Sequence, residues 1–78
     1  MICSVIEITN NPDWNEGVVS YIQDCELIDE QYETAPNVLT AKRYGVSMYE
    51  QTELLNHIRY LEKRFKKGTT IRSIVYNG

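Results

Sequence analysis

His57 is the only histidine of this 78-residue chain, and Cys3 and Cys25 are its only cysteines. Nucleophilic catalysis needs a nucleophile activated by an adjacent base, and acid-base catalysis needs groups whose surroundings push their pKa values apart. One imidazole and two thiols far apart in the sequence make either arrangement hard to build. Glu53 lies four residues before His57, a spacing that ordinarily steadies a solvated helix face. A structural zinc site wants close-spaced Cys and His ligands, which are missing, so neither a metal nor another cofactor is expected. The two cysteines read as small buried hydrophobes, with a disulfide between them left open. Gly17, Gly45, Gly68 and Gly78 are scattered and make no phosphate-cradling loop. An enzyme is therefore the least favoured class.

Charge is the stronger signal. Residues 1–41 hold eight carboxylates and no base, a formal −8. Residues 42–78 hold all eight Lys and Arg against Glu50, Glu53 and Glu62, a formal +5, which recovers the net −3. The acidic set is Asp13, Glu16, Asp24, Glu26, Asp29, Glu30 and Glu33. Such a set is often just a solvated surface. Here no base relieves it within its own segment, and Trp14, Tyr21 and Tyr32 are interleaved with it. Aromatics beside charge are typical interface anchors, and complementary charge contributes mainly specificity and association rate. This points to binding, with Trp14 the aromatic most expected to be partly buried.

The elements that must position these residues follow from local pattern. Met1 to Thr9 alternates, with Ile2, Ile6 and Ile8 on one side and Cys3, Val5, Glu7 and Thr9 on the other, the period of a strand. NNPDWNEG concentrates turn formers. Val18 to Cys25 fits two templates. Trp14, Val18, Tyr21, Ile22 and Cys25 match helical spacing, whereas VVSYI is rich in β formers, and a second strand is the preferred reading. Asp29 to Ala35 is short and acidic, and Pro36 suits the first turn of a helix over Asn37 to Tyr44 that Gly45 would stop.

Ser47 and Glu50 make a capping box, and Leu54, Ile58, Leu61 and Phe65 then form an apolar stripe with Leu55 beside it. Lys63, Arg64, Lys66 and Lys67 suit the negative end of that helix and Gly68 its left-handed stop. TTIRSIVY, residues 69–76, reads as a closing strand. The expected fold is α+β in a single domain, 1–78: a small antiparallel three-stranded sheet, order ββααβ, covered by one long C-terminal helix and a short helical segment. A chain this size buries only roughly 60% of its unfolded surface, so the core is thin. No apolar run approaches the ~20 residues a bilayer span needs, and no leader pattern opens the chain, so a cytoplasmic protein is expected.

The basic C-terminal group has a rival reading. LTAKRYGVSMYEQTELLNHIRYLEKR resembles a helix-turn-helix, which would make Tyr44 to Lys67 the DNA-contacting part of a small regulator. Glu50 and Glu53 oppose this, because they fall where phosphates and base edges would be met. A virion assembly protein is a third class.

Several motifs also resemble one family of small phage-encoded anti-CRISPR proteins that act against type I-F systems. NPDW at Asn11 to Trp14 is similar to the family's NPDF. Asp29, Tyr32, Glu33 and Ala35 match its acid, Tyr-Glu and Ala in ungapped register. YGVS at Tyr44 to Ser47 opens the long helix, and Lys67 and Gly68 precede the final strand. APNVLTAKR and Thr34 depart from the pattern, and Lys42 and Arg43 add positive charge. The resemblance implies a decoy for duplex DNA that binds the surveillance complex where it reads the protospacer-adjacent motif. Carried over by position, Asp13, Asp29 and Glu33 would be the phosphate-mimicking contacts, with Asp24, Glu26 and Glu30 as supporting charge and Trp14 and Tyr32 as anchors. The implied partner is a host protein with a basic nucleic-acid-binding surface, with no direct contact to nucleic acid.

Overall fold

The alternation of the first nine residues becomes β1 (Ile2–Thr9) in the computed structural model, which describes residues 1–78. β2 (Ser20–Glu26), β3 (Gln31–Ala35) and β4 (Thr70–Asn77) join it in one antiparallel sheet of order β3-β2-β1-β4. One helix, α1 (Met48–Arg64), covers one face, and a single 3-10 turn occupies Val38–Thr40. No helix is long and apolar enough to cross a membrane.

The α+β class stands, but the three-stranded ββααβ arrangement does not, because the sheet has four strands and the chain one α-helix. The acidic stretch supplies the extra strand. Carboxylates are depleted in strands, so its composition hides the outcome. It is strand because β2 offers a partner: Cys25 pairs with Tyr32 and Ile22 with Thr34, after a turn in which Glu30 takes a left-handed φ of 51°.

The helix expected over Asn37 to Tyr44 is likewise replaced. Asn37 caps one turn by accepting from the Leu39 N–H at 2.8 Å, and the chain then dives into the sheet. The Lys42 N–H donates to the Ile22 carbonyl at 2.8 Å, and Tyr44 exchanges backbone bonds of 2.8 and 2.9 Å with Ser4. Buried backbone groups must be paired, and here the strands pair them instead of a helix. Gly45 does not stop a helix; it lets the backbone approach the Glu50 carboxylate, which a Cβ would strike. Glu50 accepts from the Gly45 N–H at 2.7 Å and from the Ser47 hydroxyl at 2.8 Å, while Ser47 caps α1 through the Glu50 N–H.

The sheet's helix side carries Ile6, Ile8, Ile22 and Cys25, which pack with Tyr44, Leu54 and Leu61; Trp14, Ile58, Tyr60, Phe65 and Ile71 surround them. Only 13 of 78 residues are buried, so each core side chain holds a large share of the stability. The expected stripe on α1 holds, with Leu54 and Leu61 buried and Ile58 and Phe65 packed against the core, but His57 is buried with it and Leu55 is exposed. His57 thus faces the core, not a solvated flank. The helix also ends at Arg64, with extended Phe65 as its cap, and Gly68 serves the turn into β4 at φ 102°. Cys3 and Cys25 are both free and buried.

Candidate functional site: an acidic hairpin beside an aromatic groove

β2, a four-residue turn and β3 gather Asp24, Glu26, Asp29, Glu30 and Glu33, all exposed, on one hairpin. A bulge between Ile22 and Asp24 shifts the register so that Asp24 lies directly opposite Glu33 and Glu26 opposite Gln31. Partners in an antiparallel ladder share a face, and Ile22 and Cys25 occupy the helix side, so Asp24 and Glu33 project from the open side. Like charges directly opposite each other destabilise a sheet. Asp24, Glu30 and Glu33, with Gln31 and Tyr32, line a depression of about 310 Å³.

Asp13 and Trp14 stand apart from this group, on the loop after β1. Trp14 meets Phe65 edge-on at 6.2 Å between ring centroids, and Tyr32 meets the same ring at 5.3 Å. These three rings, with Asp13, Arg64 and Lys66, line a groove of about 400 Å³. Trp14 is half-buried, as its composition suggested, and Tyr32 remains 37% exposed.

Bases from the second half of the chain reach some of the carboxylates. Lys66 bonds Asp13 at 2.8 Å, Arg64 bonds Glu30 at 2.7 Å and Arg72 bonds Glu7 at 2.8 Å. Asp24, Glu26, Asp29 and Glu33 form no ion pair. The expected site is therefore divided: four bare carboxylates and Glu30 on the hairpin, and Asp13 with the aromatics in a groove that also carries cations. Arg43 lies away from both, over the Tyr76 ring on β4, whereas Lys42 sits over Tyr44 near Glu26.

The structure also brings together groups that the sequence keeps apart. Cys25 and His57 line one cleft of about 330 Å³ with Glu26, Lys42 and Glu53. The Tyr44 hydroxyl lies 2.6 Å from His57 Nδ1 in the core. Burial pushes the Cys25 thiol up to about 11, with Asp24 and Glu26 adding to the effect. Burial likewise raises the Tyr44 hydroxyl above its ordinary range and lowers His57. A phenol and a neutral imidazole share one hydrogen bond here, its direction set by the histidine tautomer. Every one of these shifts favours the uncharged form, the reverse of what an activated thiolate needs. The three-residue and four-residue steps between Leu54, His57 and Leu61 were the available signal for this buried histidine. No group of three or more His, Cys, Asp or Glu side chains gathers as a metal site would require. Comparison with protein-family models, curated proteins and solved structures finds no match to this chain.

Proposed function

We propose that this chain is a non-enzymatic inhibitor of phage or mobile-element origin that acts in the host cytoplasm. It binds the basic, nucleic-acid-reading surface of a host protein through its acidic hairpin. The partner this reading names is a type I-F CRISPR surveillance complex, and the step blocked is recognition of the protospacer-adjacent motif. The observation that carries the proposal is the hairpin's four carboxylates without base partners, two of them opposed at Asp24 and Glu33 despite the cost in stability. Asp24 and Glu26, two residues apart on one strand, repeat at about 6.8 Å. Arg and Lys bond such carboxylates by the same charge-assisted geometry they use on phosphate. Uncharged Cys25, Tyr44 and His57 offer no competing catalytic reading.

A helix-turn-helix regulator is less well supported. It needs a helix before α1, where the chain has one 3-10 turn and a bridge at Tyr44, and two of its bases, Arg64 and Lys66, already hold Glu30 and Asp13.

The test is binding to purified surveillance complex and competition against target DNA. Changing Asp13, Asp29 and Glu33 together to Ala is expected to abolish capture, and so is Asp24→Asn with Glu26→Gln and Glu33→Gln. Undiminished binding by both folded variants overturns the interface. Affinity is also expected to fall steeply with salt, as exposed charge pairs are screened.

A further inference from the structure

The sheet's two edges are built in opposite ways. β3 is five residues long, lies against a bulged partner, is followed by Pro36 and carries Glu33. These are devices that stop a strand from pairing with another chain. β4 shares only the charge. Its eight residues run in unbroken register with β1, from Ile2 opposite Asn77 to Thr9 opposite Thr70, without bulge or proline. Its single charge, Arg72, is already held by Glu7. The sheet ends at β4, so its outward backbone N–H and C=O groups face no strand.

The bare side chains along this edge are Arg72, Ser73, Val75 and Asn77. Val75 is 75% exposed beside Ile74, and Ile71, on the same side of the strand, is only half-buried. Ile58 packs against the core on that side, and Leu55, three residues before it on α1, is 55% exposed.

We propose that a second copy of this chain pairs antiparallel with β4, joining two four-stranded sheets into one of eight strands. A two-fold axis at Ser73 places Ile71 opposite the partner's Val75, twice, and Arg72 opposite the partner's Ile74. The two Arg72 side chains then lie diagonally across the axis on one face, each held by the Glu7 of its own copy. For a second copy, charge favours this edge over β3. Each molecule carries a net −3, concentrated on the hairpin at the far edge of the sheet. Pairing through β4 leaves the two hairpins at opposite ends, seven strand spacings or about 34 Å apart. Pairing through β3 would set Glu33 and its neighbours against themselves. The contact is isologous and consumes the one regular edge, so assembly closes at two copies instead of growing into a fibre. Both acidic hairpins stay open, which makes the dimer bivalent.

Sedimentation of the full chain across a concentration series tests this without reference to the host partner. The expected result is a reversible monomer–dimer equilibrium. Ser73→Lys with Val75→Lys, both at exposed positions, brings two ammonium groups face to face on the two-fold axis and is expected to leave only monomer with an unchanged far-UV spectrum. Glu33→Lys at the other edge is expected to leave the dimer intact. Hydrogen exchange needs no variant: β4 amides are expected to gain protection as concentration rises. A wild-type chain that stays monomeric at millimolar concentration overturns the proposal, as does a dimer that survives the β4 lysines or shows no change in β4 exchange. Loss of surveillance-complex binding leaves it untouched, because it does not rest on the proposed function.

Discussion

The acidic hairpin and the Tyr44–His57 pair treat polar groups in opposite ways within one small fold. On the hairpin, Asp24 and Glu33 stand opposite each other in the open, without base partners. In the core, the Tyr44 hydroxyl and His57 Nδ1 meet at 2.6 Å, both residues nearly inaccessible. The first arrangement costs stability and leaves charge free for a partner. The second satisfies a buried donor and acceptor with each other and fixes where residues 41–44 cross the sheet. Removing a polar group should therefore have opposite signs in the two places: loss in the core, gain on the hairpin.

The largest effect is expected from Tyr44→Ala. It deletes a fully buried ring and strands His57, and truncating a buried aromatic typically costs about 3–5 kcal/mol. Against a whole-domain stability of roughly 4–12 kcal/mol for a chain of this size, much of the population would unfold, as a urea titration would record. Tyr44→Phe isolates the polar term. It keeps the ring but leaves Nδ1 without its partner, at a cost of about 1–3 kcal/mol. Equal stability of wild type and Tyr44→Phe would break the contrast.

Acidity tests the same pair without mutation. His57 is lowered from its ordinary 6.5, so below that value the unfolded chain takes up a proton that the folded chain refuses. Its contribution is complete above pH 6.5 and is lost as pH falls toward the folded value, by at most about 1.4 kcal/mol per pH unit. At the alkaline end the sign reverses. Cys25 ionises near 9 when unfolded and about 11 when folded, so stability declines as pH rises through that window. Denaturation midpoints between pH 4 and 11 should trace a plateau with both flanks falling, and Tyr44→Phe should change the acid flank.

The hairpin is expected to respond with smaller shifts of the other sign. Glu33→Gln or Asp24→Asn removes a directly opposed like charge and should raise stability by about 0.2–1 kcal/mol, while binding to the surveillance complex weakens. A destabilised Glu33→Gln with unchanged binding would contradict both halves of the comparison. Smallest of all is Lys66→Ala, which breaks an exposed ion pair at a cost of about 0–1 kcal/mol. It also frees Asp13. If Asp13 is a contact, this variant binds more tightly than wild type, a difference that titration against the purified complex would detect.

Much of the fold was legible because its signals are local. The alternation of Ile6 and Ile8 with Val5 and Glu7 defines β1, and Ser47 with Glu50 marks the start of α1 to the residue. The TTIRSIVY stretch forms β4 within one residue of its expected bounds. The strand reading of Val18 to Cys25 holds as β2, because the sheet supplies the pairing. What misled was composition. QYETA is poor in strand formers, and His57 four residues after Glu53 resembles a solvated pair, so β3 and the buried imidazole both went unseen.

Sequence alone determined the amphipathic helix with its cap, the first and last strands, the uneven distribution of charge and the absence of close-spaced metal ligands. These depend on neighbours within a turn or two along the chain. Tertiary structure alone decided which carboxylates stay bare, since Arg64, Lys66 and Arg72 arrive from 34, 53 and 65 residues away. It also decided that the acidic stretch is a strand and that Tyr44 fills the core, because those backbone hydrogen bonds are donated and accepted by β2 and β1. No local pattern carries the identity of a partner so distant in the chain.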